Sequence, residues 1–254
     1  MTNEDIPQLP VAYQLTIFDT LPSIREKASS LAKSGVEEGT LVWARRQTQG
    51  YGLGGKPWKD NEGDFHCGIV LRPEFPPRDF YQMNVVGCLA LGNALAAHLS
   101  PMTALGFGWP NKLLIANQRV GGVWIDSDYG SDPWLVVSCS VNIQPPPSWE
   151  DGLGMSIAEA EGSTSLTSAT LLETYSREFI TQINHWAERG FDYSLRQWKG
   201  RMQYDMQPKK YGHLNHTVCG VLQSVAEQGE ALVKCGDGAL RTIAIETHMR
   251  REHE

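Results

Sequence analysis

Two stretches of this chain hold the residue types that grip small charged molecules. The first is the run Gly50-Tyr51-Gly52-Leu53-Gly54-Gly55-Lys56-Pro57-Trp58, preceded by Gln47. It contains GxGxxG at Gly50, Gly52 and Gly55. A dinucleotide fingerprint needs such a loop to open a helix, and Pro57, Asp60, Asn61 and Gly63 follow instead, so that reading is set aside. Two remain: a flexible surface loop, or a loop that folds over a ligand, where glycines supply positive φ and close backbone approach. The second stretch is GWPNKLLIANQRVGGVW, residues 108–124. Trp109, Asn111 and Lys112 precede a short hairpin; Arg119, Gly121 and Gly122 follow it. A guanidinium at 119 has the fork to hold a carboxylate or phosphate; the alternative is a solvated hairpin charge. His213-x-x-His216-x-x-Cys219 has metal-like spacing, but only Cys235 could join it. The polar start of a strand is the expectation, and no metal site.

The elements that must position these residues follow from periodicity. Val11 to Phe18 reads as a strand, followed by a helix with Pro22 near its first turn and Ile24, Ala28, Leu31 and Ala32 on one stripe. Leu41 to Arg45 and Phe65 to Arg72 read as strands around the glycine-rich loop. Asp79 is the expected N-cap of a long helix ending near Leu99. Leu113 to Asp126 reads as a hairpin turning at Ala116-Asn117, and Trp134 to Ile143 as a long apolar strand. Pro145-Pro146-Pro147 ends that strand and opens a loop to about Ser168. The next helix reaches Arg189, with Leu171, Leu172, Tyr175, Phe179, Ile183 and Trp186 at helical spacing. After Pro208 the period becomes 2, giving short strands at Val218 to Val225, Ala231 to Lys234 and Arg241 to Glu246.

Bulk composition narrows the classes. A length of 254 residues suits one sizeable domain with a small appendage. Hydrophobic residues at 41% and charged residues at 20% describe an ordinary globule. A net charge of −7 argues against a nucleic-acid partner, because phosphate binding needs a basic surface. No secretory leader or 18-residue apolar run is present, so no membrane association and a cytoplasmic location are expected. Five cysteines without a CxxC read as reduced thiols.

The order of these motifs resembles the biotin/lipoate protein ligase family. That family carries G-R-G-R-x-G-R-x-W after a strand and a Gln, matched here by Gln47, Gly50, Gly52, Gly55 and Trp58, with Lys56 keeping one basic position. It then carries K-W-P-N-D, a hairpin and K-x-(A/G/S)-G. Trp109, Pro110 and Asn111 match, and Val141-Asn142-Ile143 resembles the family's G-I-N strand end. The charges depart from the pattern. Tyr51 and Leu53 replace two arginines, Gly108 and Arg119 replace lysines, and Lys112 stands where the family has an aspartate.

The resemblance covers about residues 11 to 200. It implies an α+β fold with a mixed, mostly antiparallel sheet flanked by helices (residues 1–205) and a small C-terminal SH3-like β domain (206–254). It implies an acyltransferase-type ligase active in protein modification. A small carboxylic acid, biotin or a lipoate- or octanoate-like acid, would be activated with ATP and passed to a lysine of a carrier domain. Arg119 and Lys112 would be catalytic. Gln47, Gly50, Tyr51, Gly52, Leu53, Gly55, Lys56, Trp58, Trp109, Asn111, Gly121, Gly122 and Asn142 would bind substrate. Mg²⁺ is not expected beside Lys112, and homodimers occur among the implied assemblies. A cysteine-dependent transferase of the superfamily would need its nucleophile just after the long apolar strand; the next cysteine after Asn142 is Cys219, so thioester transfer is disfavoured. No helix-turn-helix pattern precedes the core, so repression is not implied. The alternative is a relative that binds the acid or the carrier domain without adenylation.

Overall fold

The computed structural model describes residues 6–52, 57, 58, 60–145, 154–213, 216–245 and 248, with the side chains of 213 and 216 excepted. Seven strands form the main sheet: β1 (Gln14–Phe18), β2 (Thr40–Ala44), β3 (Phe65–Leu71), β4 (Leu105–Gly108), β5 (Lys112–Ile115), β6 (Gln118–Asp128) and β7 (Trp134–Val141). Their order is β1-β2-β3-β7-β6-β5-β4. The β1–β2 pair is parallel and the others are antiparallel. Strands β3 and β7 lie at the centre with every residue buried, which is why they read as unbroken apolar runs.

Helix α1 (Ile24–Lys33) covers one face. Ser23 caps it, its hydroxyl accepting from Glu26 N. Its buried stripe packs on Val42, Ala44, Val70 and Val136. The opposite face is covered by α2 (Gln82–Ala96), which is apolar on all sides and almost wholly buried. Over α2 lie α4 (Ser168–Arg189) and α5 (Phe191–Lys199). A short α3 (Ile157–Glu161) carries a capping box between Ser156 and Glu159. Four more strands, β8 (Lys209–His213), β9 (His216–Val225), β10 (Ala231–Cys235) and β11 (Leu240–Ile243), make a small antiparallel sheet, the C-terminal β domain. The architecture is the expected α+β arrangement.

Several expectations need correction. Asp79 does not cap α2: it lies in a 3-10 turn, Pro77–Asp79, and its carboxylate accepts from the Gln82 side chain instead. The helix ends at Ala96, and the first strand begins at Gln14. Strands β4 and β8 and helices α3 and α5 were not anticipated; α3 interrupts what was expected to be a loop to about Ser168. In β4 two glycines mask the strand pattern; it forms because the 201–203 segment completes its edge, with Phe107 N donating to Arg201 O and Gln203 N donating to Phe107 O. The hairpin turns where expected, with Ala116 and Asn117 both left-handed (φ 50 and 62), the conformation of a two-residue hairpin turn.

Gly68 sets how closely α1 approaches the sheet. A Cβ there would stand 2.8 Å from the Ala28 Cβ. Gly68→Ala is therefore expected to push α1 outward and destabilise the protein by about 1–3 kcal/mol, the usual range for overpacking. Urea titration measures this; an unchanged midpoint would show that α1 repacks freely.

Candidate active site

The segment leaving β2 pairs with the approach to α1 through a parallel bridge between Leu21 and Gln47. The Gln47 side chain is buried and engaged through both its oxygen and its nitrogen. Its Oε1 accepts from Ile24 N at 2.7 Å, and its Nε2 lies 2.8 Å from His66 Nδ1. Because Oε1 is committed to a donor, the amide nitrogen must donate to His66. Nδ1 is then an acceptor, also reached by the Ser140 hydroxyl at 2.9 Å. The proton of His66 sits on Nε2 and is donated to Asp60. The other Asp60 oxygen accepts from Gln47 N at 2.6 Å. Gln47 and Asp60, at either end of the glycine-rich loop, are thereby joined to each other and to β3.

Gly50 follows from the same arrangement: a Cβ there would meet Gln47 Nε2 at 2.9 Å. The loop closes at its base, with Trp58 N donating to Gly50 O at 2.8 Å and a bridge between Tyr51 and Pro57. Tyr51 lies under the Arg25 guanidinium, 4.9 Å from the ring centroid. Arg25 forms a two-point pair with Asp126 of β6, at 3.0 and 2.7 Å. Trp58 is buried and meets Trp124 edge-on, with centroids 5.3 Å apart. The Arg119 guanidinium stands 4.9 Å over the Trp58 ring. Arg119 is thus a partly buried cation held on an aromatic face beside the loop, not a charge at the hairpin tip. Leu53, Gly55 and Lys56 lie outside the described residues.

The hairpin residues divide between two directions. Asn111 is buried; its Nδ2 donates to Val123 O at 2.8 Å, and its Oδ1 has no partner among the described residues. Trp109 faces the small β domain, its indole N–H donating to Gly229 O at 2.9 Å and its ring lying 4.8 Å from that of His248. Lys112 lies on the same side. Burial, and then the Lys112 ammonium, hold the His248 imidazole down at about 4. Gly121 and Gly122 were expected to admit a ligand against the backbone. Their tight neighbours are protein atoms: a Cβ would meet Ser140 O at 2.9 Å or the Trp124 ring at 3.1 Å. Asn142 is buried past the end of β7, its backbone N donating to Val120 O and its Nδ2 to Met155 O.

Sequence reading missed Arg25, Asp60, Asp64, His66, Trp124, Asp126, Ser138 and Ser140. Strand alternation places His66, Trp124, Ser138 and Ser140 on the α1 face, and no motif marks them. Asp126 and Trp134 line a groove of about 540 Å³ with Arg25, Ser29, Lys33 and Tyr51, beside α1. Among the described residues no group of three His, Cys, Asp or Glu side chains is placed to hold a metal ion.

Asp64 fastens the segment after β7 to the base of the loop. One oxygen accepts from Ile143 N at 2.7 Å and Gln144 N at 3.1 Å, and the other accepts from Asn61 N at 3.0 Å. Burial outweighs these three donors and pushes its carboxyl up to about 6. The folded value is raised above the unfolded one. The contribution of Asp64 to stability is therefore complete below about pH 4 and is lost as pH rises through about 6. Urea midpoints of wild type and Asp64→Asn between pH 4 and 7 should shift relative to each other in the variant's favour as pH rises, by up to about 3 kcal/mol at 1.36 kcal/mol per unit. Parallel curves would contradict this assignment.

With this geometry in place, comparison with known proteins is informative. A model of the Biotin/lipoate A/B protein ligase family matches residues 9–200. The bifunctional ligase/repressor BirA of Bacillus subtilis is 23% identical over 231 residues, 88% of this chain and 70% of that protein. A biotin–[acetyl-CoA-carboxylase] ligase of Paracoccus denitrificans is 33% identical over 116 residues, 44% of this chain and 48% of that one. The biotin protein ligase of Aquifex aeolicus, solved with biotin and ATP, superimposes with a TM-score of 0.75 at 22% identity, over 92% of this chain and 97% of that one. A biotin protein ligase-like protein of unknown function from a Silicibacter species superimposes with a TM-score of 0.76 at 21% identity, over 96% and 99%. At such identities the structural likeness concerns the fold.

Proposed function

This chain belongs to the biotin/lipoate A/B protein ligase family, and from that premise we propose that it binds a small carboxylic acid of the biotin, lipoate or octanoate class, activates it with ATP, and passes the acyl group to a lysine of a carrier domain. The observation that carries this reading is the Arg119 guanidinium, fixed over Trp58 at the base of the glycine-rich loop. Among the described residues it is the cation best placed to take the acid's carboxylate. The ligase-like unit would span residues 1–205 and the small β domain 206–254. A cytoplasmic location suits the free cysteines.

ATP would supply a pyrophosphate leaving group, and negative charge would then build on the phosphates. Cations aimed at that charge lower the barrier. Arg119 would serve from beside the glycine-rich loop and Lys112 from the side of the small domain. The described residues do not fit Mg²⁺ beside Asn111. A magnesium ion is held by carboxylates and carbonyl oxygens; the hairpin offers one amide oxygen, from Asn111, and an ammonium at Lys112. No step is therefore routed through a metal there. The ammonium at 112 favours a second reading, in which acid or carrier domain is bound without adenylation.

Two measurements separate these readings. Calorimetric titration with biotin, lipoate and octanoate should find an acid whose affinity falls roughly ten- to a hundredfold in Arg119→Ala, the loss of one charge-assisted hydrogen bond, and partly recovers in Arg119→Lys. Equal affinity for all three proteins would remove Arg119 from the site. Pyrophosphate exchange should be slow, and Lys112→Asp combined with Leu53→Arg should raise it by about 10²-fold or more, the scale of one transition-state contact. Robust Mg²⁺-dependent exchange by the wild type would contradict the assignment of Lys112.

A further inference from the structure

Two thiols meet on the α2 face of the central sheet. Cys67 of β3 and Cys139 of β7 stand directly opposite each other in the antiparallel register, and their Sγ atoms lie 3.4 Å apart. Both are fully buried in the main core. Directly opposed antiparallel residues have α carbons about 4.5 or 5.5 Å apart, and a disulfide accepts about 4.4–6.8 Å. The backbone is therefore within reach of a bond. The sulfurs must still close from 3.4 Å to about 2.05 Å, and in a close-packed core that movement is shared by the strands that carry them. Cys88 of α2 belongs to the same core, near enough that Cys139, after burial, helps push its thiol up. A buried cysteine otherwise acts as a small apolar residue, and alanine or valine would fill that role. Two thiols in register can also react with each other.

The neighbouring residues on the two strands, His66 and Ser140, are also register partners, and strand alternation turns them to the opposite face. There the Ser140 hydroxyl and the Gln47 amide both meet His66 Nδ1, in the network that ties the glycine-rich loop to β3. We infer that Cys67 and Cys139 are a redox-sensitive pair: oxidation by a small peroxide joins them, and the resulting shift of β3 against β7 loosens the Gln47 network and the base of the loop. In the first step one thiol sulfur attacks the peroxide, the O–O bond breaks, and a sulfenic acid and water form. In the second, the other sulfur attacks the sulfenic sulfur, the S–O bond breaks, the S–S bond forms and a second water leaves. Two electrons pass from the thiols to the peroxide, and both thiol protons end in the waters. Burial, and then the neighbouring Cys139 sulfur, keep the Cys67 thiol protonated far above the usual range. The pair is therefore inert at rest and answers only sustained oxidant, which reaches it through local opening of the sheet.

The test is to incubate the full chain with excess hydrogen peroxide, then map disulfides by mass spectrometry and follow amide hydrogen exchange. A peptide linking Cys67 to Cys139 is expected, in a protein lighter by two hydrogen atoms, with reversal by dithiothreitol. Exchange at the Gln47 and Trp58 amides, which donate to Asp60 and to Gly50 O, should quicken roughly five- to tenfold, the loss of about one hydrogen bond. Cys139→Ala should abolish both the link and the quickening, and Cys88→Ala should keep both, with thermal melts confirming that the variants fold. Several results would overturn the inference. These are oxidation of the exposed Cys219 alone, sulfinic or sulfonic acids without an S–S link, a link through Cys88 instead, or a Cys67–Cys139 link that leaves loop exchange unchanged. The exchange readout needs no ligand, so failure to bind any acid would count against the proposed function and not against this pair.

Discussion

The candidate site depends on one buried amide. Gln47 spends its side-chain oxygen on the first turn of α1, its side-chain nitrogen on His66 of β3, and its backbone nitrogen on Asp60 beyond the loop. These three contacts fix the helix, the central sheet and both ends of the glycine-rich loop relative to one another. Such a network stabilises only when every member is satisfied, and here the tautomer of His66, the orientation of the amide and the Asp60 carboxylate agree. Gly50 lacks a side chain because the Gln47 amide occupies that space. Tyr51 and Arg25, which line the groove beside α1, and Trp58 at the base of the loop hang from this frame.

The two cations of the hairpin belong to different surroundings. Arg119 lies on an aromatic face beside the loop, while Lys112 lies toward the small β domain, close enough to His248 to depress its titration. Trp109 joins the same seam through its hydrogen bond to Gly229. A charge at 112 therefore acts at the junction with the small β domain. This explains how the chain keeps the family's scaffold while its charge pattern differs: the apolar and glycine positions are dictated by packing, and the charges are not.

Much of this was legible in the sequence because the signals were local. The Ala116-Asn117 turn, the apolar stripe of α1 and the apolar periodicity of α4 each follow from a few adjacent residues. Glycine-laden β4 was invisible because its partner, the 201–203 segment, lies almost a hundred residues away. Asp79 was misassigned as a cap because the preceding prolines favour a 3-10 turn before the helix begins. In the site, motif residues such as Gln47, Trp58 and Arg119 were visible by type and spacing. The polar lining of the sheet face was not, because His66, Ser138 and Ser140 take their meaning from cross-strand register, which a single strand does not disclose. Gly121 and Gly122 were read as ligand contacts, and close strand packing gives each a further reason to be glycine.

The central claim is that Arg119, over Trp58, receives the carboxylate of a small acid. A crystal structure with the acid that most raises the melting temperature tests it most directly. The account predicts a carboxylate oxygen within hydrogen-bond distance of the Arg119 guanidinium, below the glycine-rich loop. A carboxylate found instead in the groove beside α1, on Arg25 and Lys33, would contradict it.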